Sequence, residues 1–124
     1  HHDYEAFFQE EIRQRRELGF PPFSHLVRAV VLGTNPRRVA AAAQGLQRAW
    51  LEELRTRRAP GARMTPAAPA PIERLRDRWR WHVLARCQEL DPLLAATRAA
   101  VDRLRPRWER DLVLQLDADP VNML

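Results

Sequence analysis

Apolar residues recur along this chain with two periods, close to four and close to two, and the switches between them predict its elements. Tyr4, Phe8 and Ile12 are spaced by four behind a capping Asp3, and Glu11 stands one turn before Arg15, so a lead helix is expected to run to Leu18. Gly19 suits a left-handed helix end, and Phe20, Pro21, Pro22 and Phe23 then impose an extended passage that no helix continues through. Residues 24–33 are aliphatic and β-branched and end in Gly33, the composition of a strand. Asn35 and Pro36 form a cap followed by a first-turn proline, and Val39, Ala43, Leu46, Trp50 and Leu54 continue at helical spacing, predicting a helix over 36–58.

Residues 59–72 contain Pro60, Gly61, Pro66, Pro69 and Pro71, which permits a turn and an edge strand, Arg63 to Ile72, but no central strand. Trp79, Trp81, Val83, Ala85 and Cys87 then alternate with Arg80, His82, Leu84 and Arg86, the pattern of a half-buried strand. Asp91-Pro92 repeats the cap-plus-proline signal, and Leu94, Thr97, Val101 and Leu104 carry a second helix to Pro106. Leu112, Leu114 and Leu116 alternate with Val113, Gln115 and Asp117 in a last strand closed by Pro120. The order after the lead helix is β-α-β-β-α-β, an α+β chain in the split, ferredoxin-like arrangement, with both helices on one sheet face and the other face open and basic. Residues 1–23 are read as lead helix and docking turn, and 24–124 as the ferredoxin-like domain.

Composition narrows the function. The 124 residues carry 21 basic side chains, all arginine, against 16 acidic ones, a net charge of +5, which suits one basic folded domain. No stretch has the length and apolarity of a membrane span, and the N-terminus lacks signal-peptide order, so a cytoplasmic protein is expected. Cys87 is the single cysteine, which excludes an internal disulfide and a multi-thiolate zinc site and favours a small packed side chain. There is no phosphate-cradling glycine loop and no nucleophile elbow. Asp117 and Asp119 read as structural, without the further ligands a metal needs. Catalysis and a resident cofactor are not expected.

The most unusual stretch runs from Ile72 to Trp81. Arg74, Arg76, Arg78 and Arg80 stand two apart, so on an extended chain all four point one way and form a positive stripe for phosphates. Against this stands a solvated face neutralised by acids such as Asp117 and Asp119. Trp81 reads as core, whereas Trp79 is either core or a platform on which a base stacks. His82 on the basic side reads as a hydrogen-bond donor to phosphate or backbone rather than a general base. Arg13, Arg15 and Arg16 lie among Glu10, Glu11 and Glu17 as surface pairs, and Arg55, Arg57 and Arg58 suit the negative end of a helix dipole.

Several segments together resemble one family. Asp3-Tyr4-Glu5-Ala6-Phe7-Phe8, Arg15 to Phe23, Pro69-Ala70-Pro71-Ile72, Arg78-Trp79-Arg80-Trp81 and Asp117-Ala118-Asp119-Pro120 look like the C-terminal region of the PriA family of bacterial replication-restart helicases, in the same order. The resemblance implies a ferredoxin-like, nucleoid-associated domain that contacts single-stranded and forked DNA and cooperates with the helicase core, the single-stranded-DNA-binding protein and other primosome proteins. It also implies that ATP hydrolysis and zinc binding belong to other regions of the family. Arg78 and Arg80 match its Arg-aromatic-Arg-Trp motif and lead the expected DNA site, followed by Arg74, Arg76, Trp79 and His82. Phe20, Pro21, Pro22 and Phe23 are expected to dock on the helicase lobe. Where the family often opens its second helix with a Pro-Ser-Arg-like sequence that helps receive the tail of the single-stranded-DNA-binding protein, this chain reads Gln88-Glu89-Leu90-Asp91-Pro92, which adds negative charge. The alternative is a protein-interaction module with incidental DNA contact.

Overall fold

The computed structural model describes residues 24–118. The expected lead helix, the Phe20 to Phe23 turn and Asp119-Pro120 lie outside them. The described chain runs β1 (His25–Gly33), α1 (Pro36–Thr56), β2 (Arg63–Met64), β3 (Ala68–Leu75), β4 (Arg78–Cys87), α2 (Leu90–Leu104), a short 3-10 turn (Arg105–Arg107) and β5 (Val113–Ala118). It is an α+β arrangement of two helices on a five-stranded antiparallel sheet. Among the described residues no helix is long and apolar enough to cross a membrane.

Local chemistry accounts for the boundaries. The Asn35 side chain accepts hydrogen bonds from the backbone nitrogens of Arg37 and Arg38 at 3.0 and 3.2 Å, satisfying donors that the first turn of α1 leaves open. Gly61, at φ 65°, turns the chain toward β2 in a conformation that suits glycine. The single edge strand expected over 63–72 is divided. Thr65 donates its backbone nitrogen to the Leu84 carbonyl and accepts the Leu84 nitrogen on its hydroxyl, both at 2.9 Å, while Pro66 has no N–H for a ladder. The second helix also opens earlier than its cap-plus-proline signal suggests: Glu89 is the cap residue and makes no side-chain cap bond, and Asp91 sits inside the first turn, where its charge favours the helix dipole.

The strand order is β2-β4-β1-β5, with β3 beside β2 on the same flank of β4. In register, Val27, Ala29 and Val31 of β1 face the same way as Ala85, Val83 and Trp81 of β4. Both helices cover that face: Val39, Ala43, Leu46, Trp50 and Leu54 of α1 and Leu93, Ala96 and Ala100 of α2 share one core with these strand residues. Trp50 and Cys87 are completely buried. Arg103 joins the helices, donating to Glu52 at 3.0 Å and to Glu53 at 3.2 Å.

The opposite sheet face departs from expectation. It is not open at its centre, since Leu26, Val30 and Leu84 are at most 2% exposed and even Arg28 is only 8% exposed. The reason is legible in β1, whose apolar residues do not alternate with polar ones; a near-continuous apolar run is the signature of a strand buried on both sides. The expectation of an open basic face therefore fails along β1, and exposed cationic surface has to be sought elsewhere.

Candidate nucleic-acid interface

Exposed positive charge gathers where β3 meets β4. Arg76 and Asp77 connect the strands with φ of 53° and 65°. This is the sign pattern of the two-residue turns that match the twist of paired strands, and Asp tolerates it better than most residues. Leu75 pairs with Arg78 and Arg74 with Trp79 across the ladder. The expected one-sided stripe is thus corrected: the Arg74 to Arg80 run doubles back on itself instead of extending.

Each arginine consequently has its own setting. Arg74 lies on the helix-facing side, its guanidinium 5.3 Å from the centre of the Trp79 ring and bonded to Asp77 at 3.0 Å. Arg76 occupies the tip and Arg78 the other side, and both are exposed. Arg80 lies farther down β4, half-buried, and donates to the Ile72 carbonyl at 2.8 Å, so part of its bonding capacity ties β4 to β3. Glu73 and Asp77 are the acidic residues in this hairpin, against Arg74, Arg76, Arg78 and Arg80. Asp117, weighed as a neutralising partner, instead stands opposite Arg28, whose other neighbour is Leu84, well along β4 from the hairpin.

The aromatic residues and the histidine are more enclosed than the arginines. Trp79 and Trp81 both pack against the core, and the Arg74 guanidinium lies over the Trp79 ring, where a stacking base would otherwise sit. His82 is half-buried on the second face, and its Nδ1 is buried with no hydrogen-bond partner among the described residues. Burial first, and then the charges of Arg28 and Arg80, lower its pKa from 6.5 to about 4. His82 is therefore neutral near pH 7 and contributes no positive charge there.

Two features of the site escape a reading by periodicity. Arg28 is a buried cation near His82, visible in the sequence only as a charge interrupting an apolar run. Leu75 is an apolar residue 50% exposed at the hairpin end; its signal is its place between Arg74 and Arg76 immediately before a turn-tolerant Asp77. By contrast, three arginines in or at the ends of the helices meet acids: Arg57 pairs with Glu53, Arg103 with Glu52 and Glu53, and Arg38 with Glu109. A second cationic surface is a groove beside exposed Leu94, lined also by Arg57, Ala95, Arg98, Ala99 and Asp102. Among the described residues no three His, Cys, Asp or Glu side chains gather where they could hold a metal ion.

Comparison with known proteins gives the chain's relatives. The chain is 28% identical over 122 residues to the replication restart protein PriA of Synechocystis, covering 98% of this chain and 14% of that protein. It is 23% identical over 124 residues to PriA of Bacillus subtilis, covering 99% of this chain and 15% of the relative. The chain thus spans about one-seventh of the length of these relatives. Its fold is similar to part of a hydantoinase/carbamoylase family amidase from Burkholderia ambifaria, with TM-score 0.50 and 15% identity, covering 77% of this chain and 27% of the amidase; that likeness concerns fold alone. Residues 16–121 match the Primosomal protein N C-terminal domain. With most of its length inside that match, the chain belongs to this family, as a C-terminal domain of the replication restart protein PriA and not its helicase core.

Proposed function

We propose that this chain is a non-catalytic DNA-binding and docking domain, ferredoxin-like in topology, which helps a replication-restart protein recognise single-stranded and forked DNA and assemble the primosome in the cytoplasm. The observation that carries the reading is the β3–β4 hairpin, where Arg74, Arg76 and Arg78 are exposed at the end of the sheet. Guanidinium groups bind phosphate through paired hydrogen bonds and release counterions, which gives affinity with little sequence preference. The strand order β2-β4-β1-β5, with helices on one face, supports the ferredoxin-like description. Arg80 and Trp79 support the hairpin from within, Arg80 through its bond to Ile72 and Trp79 as the seat of Arg74, while His82 is half-buried farther along β4.

A second reading, docking to protein, draws on the groove beside Leu94, whose lining mixes Leu94, Ala95 and Ala99 with Arg57, Arg98 and Asp102. Its partners would be the helicase core, through Phe20 to Phe23 outside the described residues, and the single-stranded-DNA-binding protein. Salt separates the readings. Fluorescence anisotropy of labelled oligothymidine is expected to show affinity falling steeply as salt rises, and the Arg76→Ala, Arg78→Ala double variant is expected to lower the log–log slope by about two while leaving the melting temperature unchanged. An unchanged slope, or no binding even at low salt, would move the function to protein docking.

A further inference from the structure

Leu75 is not explained by phosphate binding. It is half-exposed, pairs in register with Arg78 and lies directly before the Arg76-Asp77 turn, so the sheet ends in a thin ribbon carrying one apolar side chain among arginines. Apolar surface offers nothing to a phosphate, and among the described residues Leu75 is the most exposed large apolar side chain, at 50%. In nucleic acid the apolar surface is the flat face of a base pair. A continuous duplex hides that face by stacking, whereas a branch point exposes it where the arms part. Proteins that open a base step do so with apolar wedges flanked by cations.

On the basis of the DNA-binding reading above, we propose that the β3–β4 hairpin is a junction wedge: Leu75 covers the terminal base pair at a DNA branch point while Arg76 and Arg78 hold phosphates of the parting strands. The chemistry is divided between the residues. The arginines set affinity for any DNA and its salt dependence, and Leu75 sets preference for a branched end over a single strand or an unbroken duplex. Arg74 acts as a positioning residue, since its contacts with Trp79 and Asp77 brace the ribbon on which Leu75 is mounted.

The test compares anisotropy titrations of this chain with a labelled fork, an oligothymidine and a dumbbell duplex closed by a loop at each end, of matched charge, for the wild type, Leu75→Ser and Leu75→Phe. The wild type is expected to prefer the fork by about tenfold, the scale of one stacked base. Leu75→Ser is expected to abolish that preference while the oligothymidine affinity and salt slope stay unchanged, and Leu75→Phe to keep or raise it. Thermal melts of all three proteins should coincide, because the side chain is exposed. Binding without a fork preference, or a preference unaltered by Leu75→Ser, would overturn the wedge and leave the DNA-binding reading standing. Loss of salt-dependent binding to every probe would overturn both.

Discussion

The helix layer and the β3–β4 hairpin use arginine in opposite ways. On the helices, Arg57 and Arg103 converge on Glu53, whose pKa is held below its usual value chiefly by the hydrogen bond from Arg57, and Arg103 also reaches Glu52. These two arginines are paired locally, and Arg103 fastens α2 to α1. In the hairpin, Glu73 and Asp77 stand among Arg74, Arg76, Arg78 and Arg80, and the ion pair found there among the described residues, Arg74 with Asp77, is largely exposed and weak. Arginine content alone is thus a poor guide to a phosphate site. What distinguishes Arg57 and Arg103 from Arg76 and Arg78 is an acid within reach, one turn back or on the facing helix, whereas Arg76 and Arg78 project from a ribbon and form no ion pair among the described residues.

That contrast is broken most severely on the helix side. Trp50 is fully enclosed between α1 and the sheet, so Trp50→Ala is expected to cost about 3–5 kcal/mol, a large part of the stability of a domain this size. Urea denaturation measures it directly. A loss below about 1 kcal/mol would mean that the helix layer is not the seat of stability.

His82 lies between the regions, and pH sharpens its role. Because its folded pKa of about 4 lies below the ordinary 6.5, the unfolded chain takes up the proton first as pH falls. The stability that neutral His82 supports is therefore complete above about pH 6.5 and lost progressively toward pH 4. Between pH 7.5 and pH 5 the wild type is expected to lose about 1 kcal/mol more than His82→Gln, a figure reduced for the partial exposure of the ring. Equal losses in the two proteins, followed by urea midpoints at each pH, would place the ring in contact with water.

The smallest effect has two signs. Arg76 holds φ at 53°, a conformation that asparagine adopts more readily than arginine. Arg76→Asn is expected to stabilise the fold by about half a kcal/mol while lowering the DNA salt slope by about one. A stabilised protein with undiminished DNA binding would show that the tip arginine serves neither fold nor ligand.

Much of this architecture was legible in order and spacing. Helical recurrence from Val39 to Leu54 and alternation from Trp79 to Cys87 are direct consequences of one-sided burial, and the elements found, Pro36–Thr56 and Arg78–Cys87, begin or end within a few residues of those patterns. The site was legible in part. The arginines of the 74–80 run were visible as unusual, but their placement on one face assumed an extended chain, and that assumption failed at Arg76-Asp77.

By itself, then, the sequence determined which residues alternate, which recur by turns, where prolines forbid a ladder and how much positive charge the chain carries, because these follow from local geometry and side-chain chemistry. Only the tertiary structure decided that β1 is covered on both faces, that His82 is enclosed near Arg28 and Arg80, and that Leu75 emerges at the end of a ribbon. Those outcomes depend on which strands become neighbours, and the pairing of β4 with β1 on one side and with β2 and β3 on the other is settled by packing across the whole sheet.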